Sequence, residues 1–372
     1  MTPQLKTEVV GEHLIVELPQ RMTAISSTVL NGGVSEIQRV AFLKVSKDFN
    51  DPDPRAYAEN ALLDLGVRPE ATAVFLTAAT PAKDNVIRTD ANAGVHVVMT
   101  VGLSPLVCID GEPRMNGGVG TINIVVVFDR PARLEALVDA VATATVAKAA
   151  ALQVSGLGCG SPQLKPISTA SDAILVAAPI TETPKPIKHS GPVTPEGRVI
   201  AHLVYWGLLE AAKTELSSYE AFLRHYFGLS LEELVEEGML IYGRAPVPGV
   251  GKGVVKNAIK QELIKVLRDP NVTALLTAAR ELDVLGAAGS LHGLPRRKHL
   301  SDWKGIVADE VLGMALATYL NGHRGLFSYE WIDRGKLSAR LSKFPMFSDD
   351  ALEALIGAIL SRVYDSLISD EP

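Results

Sequence analysis

The feature that most restricts the fold of this 372-residue chain is a proline-rich break. Residues 179 to 197 read PITETPKPIKHSGPVTPEG, with five prolines and two glycines. Each proline fixes φ and lacks an N–H, so neither a long helix nor a central strand can run through the segment. The hydrophobic periodicity differs on its two sides. Before it, short runs of Val, Ile, Leu and Thr at 13–18, 39–46, 72–78, 95–103, 121–128 and 172–178 predict strands, and 54–65 and 132–152 predict helices. Beyond it, 196–216, 219–226, 230–241, 252–267, 270–285, 303–321 and 349–368 all carry helical spacing. The chain is also longer than one ordinary core of about 100 to 150 residues. The expectation is an α+β protein: a mixed, layered α/β N-terminal domain over 1–210, then an all-α helical C-terminal domain over 211–372. The boundary falls between 180 and 225, since the helix from 196 can pack back on the first half.

Charge and composition narrow the function classes. Lysine and arginine number 36 against 42 aspartates and glutamates, a net charge of −6. That leaves no basic field for nucleic acid. Glu8, Glu12 and Glu17 interrupt the stretch where an export signal would be apolar, and runs such as INIVVVF fall short of the ~20 residues of a membrane helix. A cytoplasmic protein without membrane partners is expected, with a homo-oligomer compatible. Cys108 and Cys159 are too few for a multi-bridge framework or a four-cysteine zinc site, which suits a reducing compartment, though a single bridge between them stays open.

In the first half, STVLNGG at 27–33 and MNGGVGTINIVVVF at 115–128 carry glycine pairs that let backbone approach a ligand or simply form tight turns. Asn31, Gly32 and Gly33 are therefore candidate substrate-binding positions. Thr121 and Asn123 lie two apart on a strand and share a face, and an asparagine inside so apolar a run needs partners. Thr145, a further substrate-binding candidate, and Lys148 are neighbours on a helix, and STASD at 168–172 brings Asp172 to the start of a strand. There is no GxSxG elbow and no HExxH zinc helix. Asp172 and His189 are the acid–base candidates, while Asn31, Thr121 and Asn123 can hold amides or an oxyanion. The order STVLNGG, FLTAAT, VMTVGLSP, GTINIVVVFDRPARLEALVDAVATATVAKAAALQ, STASDAILVAAP, HSGPVTPEGRVIA resembles the adenosylcobinamide amidohydrolases over about residues 20 to 210. The resemblance implies hydrolysis of the amide joining aminopropanol to the corrin ring, with cobalt present only as part of the substrate. Val146 stands where that family carries a glutamate, Ser104-Pro105 where it carries Ser-Asn, and STASD replaces a threonine-glycine-rich loop.

In the second half, GIVADEVLGMALATYLNG at 305–322 places Asp309 and Glu310 on an apolar helix, where burial is costly unless the charge is paired or binds a cation. DRGK at 333–336 adds Asp333 and Lys336, and FSDDALEALIGAILSR at 347–362 adds Asp349, Asp350 and Arg362. Clustered carboxylates with cations suit Mg2+-assisted phosphoryl chemistry. Asp309, Glu310, Asp333, Asp349 and Asp350 are candidate metal ligands, the first three also catalytic, with Lys336 and Arg362 on the phosphate. Adjacent residues on a helix diverge by ~100°, so Asp309 and Glu310 need not share an ion. GRAPVPGVGKGV at 243–254 is not a phosphate-binding loop, because Gly253 stands where Ser or Thr must follow the lysine. From DPNV at 269–272 through VADEVLGMALATYLNGHRGLFSYEWIDRGK to FSDDALEALIGAILSRVYD, the sequence resembles the archaeal alpha-ribazole phosphatases, which are similar to phosphatidylglycerophosphatase A. Leu337 replaces that family's proline. The two resemblances together imply a two-site hydrolase of archaeal corrinoid salvage, acting on adenosylcobinamide and alpha-ribazole 5'-phosphate. The alternatives are a lipid-headgroup phosphatase fused to a non-catalytic corrinoid-binding domain, and a corrinoid carrier without catalysis.

Overall fold

The computed structural model describes residues 5–110, 120–180 and 183–369. The chain divides into two compact units, one of Met1–Cys159 with Pro166–Glu215, the other of Gly160–Lys165 with Leu216–Pro372. The first is a mixed sheet with helices and the second is helical, an α+β architecture as the periodicities predict.

The first unit contains strands β1 (Lys6–Val10), β2 (His13–Ser26) and β3 (Gly33–Lys44), helix α1 (Pro54–Asp64), and strands β4 (Thr72–Thr77), β5 (Asn85–Asp90), β6 (Val95–Val101), β7 (Leu106–Cys108) and β8 (Ile122–Phe128). Helix α2 (Leu134–Val154), strands β9 (Pro166–Thr169) and β10 (Ala173–Pro179) and helix α3 (Pro195–Glu215) follow. The main sheet runs β4-β3-β2-β10-β8-β6-β5, with β1 beside β2 and β7 paired with β9 separately. β3 is parallel to β4 and β8 to β10, while the other neighbours are antiparallel. Side-chain alternation gives the sheet two buried faces. Val40 and Phe42 of β3 join a cluster drawn from six strands and no helix, in which Phe42 stacks on Phe75. Ala41 and Leu43 face the other way, onto Ala58 and Leu62 of α1. That helix starts where the sequence indicates, with the Asp53 carboxylate accepting from Ala56 N and Pro54 in the first turn.

One expectation needs correction, the reading of the two cysteines as reduced. Cys108 and Cys159 are joined, with their Cα atoms 6.0 Å apart, because the chain after α2 returns beside β7. Helix α2 is long and apolar enough to cross a membrane by length and composition alone. Its alanine-rich buried face packs on α3, β9 and β10.

The second unit comprises α4 (Tyr219–Phe227), α5 (Leu231–Tyr242), α6 (Lys252–Val266), α7 (Pro270–Ala288), the short α8 (Arg296–His299), α9 (Ala308–Gly335) and α10 (Met346–Ser369). Ser230 and Glu233 form a capping box on α5, and Asp269 caps α7. α9 is not one rod. Asn321 and Gly322 leave helical geometry, Gly322 with φ +57°, and the chain folds back on itself. A Cβ on Gly325 would lie 2.4 Å from the Ala317 carbonyl, and one on Gly313 would lie 2.8 Å from the Tyr329 ring, so the two legs run in contact. The sequence pattern ends this helix at 321 and leaves 333–336 as a turn. In the structure Asp333 stands in the last turn of the returning leg, and only Lys336 lies beyond it, in left-handed conformation.

Candidate active sites

The first unit places Thr121, Asn123 and Asp172 together at the starts of β8 and β10, which run side by side in parallel. Asp172 accepts from Ile122 N at 2.9 Å, from Thr169 N at 3.2 Å, from the Thr169 hydroxyl and from the Lys148 ammonium. Lys148 is buried on the inner face of α2. The Thr121 hydroxyl lies 2.9 Å from Asn123 Oδ1 and 2.8 Å from the Ser171 carbonyl, and Asn123 Nδ2 donates to Thr100 Oγ1 at 3.1 Å. The buried asparagine thus finds the partners its apolar surroundings require. Asn123 and Ser171 line a cavity of about 240 Å³ with Ser27, Thr28 and Ala78. Ala78 also borders an adjoining cavity of about 260 Å³ lined by Lys47, Asp84, Ser104 and Gly120.

Other residues proposed from the sequence stand elsewhere or are already engaged. Asn31, at φ +52°, donates its amide to the carbonyls of Pro69 and Thr72, both at 2.8 Å, so its side chain ties down a turn. Gly32 is needed there because a Cβ would meet the Thr28 carbonyl at 2.4 Å, and Gly33 has φ +76°. Thr145 is exposed and donates to Val141 of its own helix. His189 is exposed and pairs with Asp139 on α2 at 3.2 Å. Neither borders the cavities beside Asn123. Residues 115–119 of the second glycine motif lie outside the described residues.

The second unit gathers carboxylates from three helical legs. Asp309 and Glu310 open α9, Asp333 closes its returning leg, and Asp350 and Glu353 lie three apart on α10, hence on one face. Close approach makes the grouping possible: a Cβ on Gly357 of α10 would sit 2.8 Å from Tyr329 N. One oxygen from each of Asp309, Glu310 and Asp350 lies within 4.8 Å of the others, and the same holds for Asp333, Asp350 and Glu353. Asp283 of α7 fixes the start of α10 by accepting from Phe347 N at 3.0 Å and Ser348 N at 2.8 Å. Burial pushes that carboxyl up to about 6 against those donors.

Burial is the largest influence on the cluster itself. It pushes Asp349 up to about 9, aided by Asp350 and Glu353, and Asp350 to about 7, aided by Asp333 and Glu310. Glu353 rises to about 7, and Asp309 is raised by burial and then by Glu310. Burial opposes the charge on Lys336, but Asp333, Glu353 and Asp349 more than offset it, and its Nζ lies 2.6 Å from Asp333 Oδ1. Asp309 Oδ1, Glu310 Oε2 and Glu353 Oε2 are buried without a hydrogen-bond donor. Carboxylate oxygens crowded together and lacking donors fit a hard divalent cation such as Mg2+. Asp349 is buried beside them and acted on by Asp350 and Glu353, its Oδ1 accepting from Asp350 N. Arg362 does not join the group: it pairs with Glu262 at 2.9 Å, and nine residues of helix put it about 13 Å along α10 from Glu353. Glu353 was not singled out from the sequence, since a glutamate in ALEALIGAIL carries no mark of burial until α9 is packed against it.

The family comparison bears on the first unit. The model of the adenosylcobinamide amidohydrolase family matches residues 2–220. The chain is 29% identical over 189 residues to an adenosylcobinamide amidohydrolase of Methanosarcina mazei, covering 49% of this chain and 86% of that one. It is 33% identical over 114 residues to an uncharacterised protein of Methanocaldococcus jannaschii, covering 30% of this chain and 87% of that one. Among solved structures, the low temperature requirement C protein from Listeria monocytogenes is similar at 22% identity, covering 41% of this chain and 96% of that one, with a TM-score of 0.35. The family match spans more than half of the chain and includes Thr121, Asn123, Lys148 and Asp172, so the chain belongs to the adenosylcobinamide amidohydrolase family.

Proposed function

We propose that this chain hydrolyses two small molecules of corrinoid salvage at separate sites: the aminopropanol amide of adenosylcobinamide in the first unit, and the phosphate monoester of alpha-ribazole 5'-phosphate in the second. The amide reaction is supported by the family match over residues 2–220 together with the polar cavities beside Asn123. Asp172 already accepts from four donors, so it suits holding the starts of β8 and β10 better than taking a proton. Asn123, which lines the cavity and is held by Thr121, then orients the amide, and Asp84 and Lys47, in the adjoining cavity, exchange protons with the attacking water and the leaving amine. Membership of an amidohydrolase family gives no support to a merely corrinoid-binding domain.

The phosphatase reading is carried by one observation, the convergence of five carboxylates from α9 and α10 with three oxygens that lack donors. Asp309, Glu310, Asp333, Asp350 and Glu353 would hold Mg2+, which when bound neutralises phosphate oxygens and makes water more acidic. Lys336, half-exposed beside Asp333, supplies a positive charge that a phosphate dianion can share.

The test is a paired assay on one preparation. Aminopropanol is followed from adenosylcobinamide, and inorganic phosphate from alpha-ribazole 5'-phosphate with Mg2+, each repeated with Asp84→Asn and Asp309→Asn. The expected result is that each substitution removes only the activity of its own unit. A protein that releases phosphate but no aminopropanol would defeat the amide assignment, and one that releases aminopropanol but no phosphate would defeat the other.

A further inference from the structure

We infer that the helical unit holds a pair of divalent cations bridged by Asp350, rather than a single ion. This rests on the cation-binding part of the proposed function and not on the identity of the phosphate ester.

The acidic groups form two overlapping triads, Asp309–Glu310–Asp350 and Asp333–Asp350–Glu353, each with one oxygen per residue inside 4.8 Å. Asp350 is the member they share, and a carboxylate has two oxygens with which to serve two ions. The oxygens without a donor are distributed over both triads: Asp309 Oδ1 and Glu310 Oε2 in one, Glu353 Oε2 in the other. Asp309 is 4% exposed and Glu353 fully buried, so water cannot readily serve in place of a cation. An ion in the first triad alone would leave the Glu353 oxygen without a partner, and an ion in the second alone would leave those of Asp309 and Glu310.

Charge points the same way. The two triads hold five carboxylates, with the buried Asp349 beside them, and Lys336 is paired with Asp333. A single divalent ion would leave most of that negative charge uncompensated, and a second offsets more of it. The buried Tyr329 hydroxyl faces the shared Asp350, with Asp333 and Glu310, one from each triad, also acting on it. A phosphate ester is the ligand class that such a pair takes, because two ions can clamp the attacking and leaving oxygens of an in-line displacement.

The measurement is Mn2+ binding to the full chain after dialysis against EDTA, read by calorimetric stoichiometry and by electron paramagnetic resonance. Two Mn2+ per chain with an exchange-coupled spectrum is the expected result. One Mn2+ per chain, or two with uncoupled spectra, would overturn the inference. Glu310→Gln and Glu353→Gln are each expected to leave one uncoupled Mn2+, weakening the other binding step at least tenfold. Retention of two coupled ions by both variants would overturn the ligand assignment. Thermal melting in EDTA verifies that the variants fold. Two coupled ions with no phosphate released from alpha-ribazole 5'-phosphate would leave the cation pair standing and end the substrate assignment.

Discussion

Two buried polar clusters in this chain solve the same problem in opposite ways. Around Asp172 both carboxylate oxygens are engaged, by two backbone amides, a threonine hydroxyl and a lysine ammonium. Around Asp350 at least five carboxylates face one another, and three of their oxygens have no donor. A satisfied network fixes geometry at little net cost, whereas an unsatisfied one raises the energy of the folded state until a ligand completes it. The first cluster therefore reads as a frame that positions neighbouring groups, and the second as a site waiting for positive charge.

The contrast is broken most directly at Asp172. Asp172→Ala strands the buried Lys148 ammonium and unpairs Ile122 N and Thr169 N, and removing one partner of a buried pair costs about 3–5 kcal/mol. Chemical denaturation is expected to show that loss in the first unit, with phosphate release unaffected. A loss below about 1 kcal/mol would mean the network is not the frame described.

Asp309→Asn in the second unit should act in the opposite sense. Phosphate release is expected to fall at least 100-fold, about 2.7 kcal/mol of barrier, while at pH 9 the metal-free protein melts at a higher temperature than the unaltered one, because the Asp309 carboxyl, which burial and Glu310 push upward, is ionised there and the amide is not. Lower stability together with lost activity would show that the carboxylates support the fold and not a cation.

The pH dependence sharpens the same point. Asp349, Asp350 and Glu353 are pushed up to about 9, 7 and 7, so the folded state keeps protons that the unfolded chain releases near pH 4. Their contribution is fully present below the unfolded values and is lost as pH rises through the folded ones. In EDTA the melting temperature of the second unit should therefore fall between pH 5 and pH 9. Mg2+ at 100 times its dissociation constant should add about 2.7 kcal/mol, most visibly at the alkaline end. A flat profile in EDTA would remove the electrostatic strain on which the contrast depends.

What the sequence made legible follows from where each signal resides. The runs at 72–77 and 122–128 are buried on both faces and read as strands without help from their neighbours, and capped helices such as α5 and α7 declare their own starts. β5 was missed because its residues, among them Asn85, Arg88 and Asp90, are half-buried or exposed at the sheet edge, and nothing local separates it from a loop. The reversal at Asn321–Gly322 does carry a turn signal, Asn-Gly. Only the packing of Gly313 on Tyr329 reveals that it brings Asp333 back toward Asp309. Asp309, Glu310, Asp333 and Asp350 were within reach because charge on apolar helices is conspicuous. Glu353 and the pairing of Cys108 with Cys159 depend on contacts between segments far apart in the chain.

His189 supplies the smallest effect and the closest check on the first unit. A histidine in a glycine- and proline-rich loop of a hydrolase invites a catalytic reading, yet its side chain is 72% exposed and its partner is Asp139, itself partly exposed. Exposed ion pairs are worth about 0 to 1 kcal/mol, and the cavities beside Asn123 are lined without either residue. His189→Ala is therefore expected to change kcat/KM for aminopropanol release by less than about fivefold, a difference within that same 1 kcal/mol. A 100-fold loss in kcat at unchanged stability would place the proton transfer at α2 and the loop before α3, and would move the amide site away from the starts of β8 and β10.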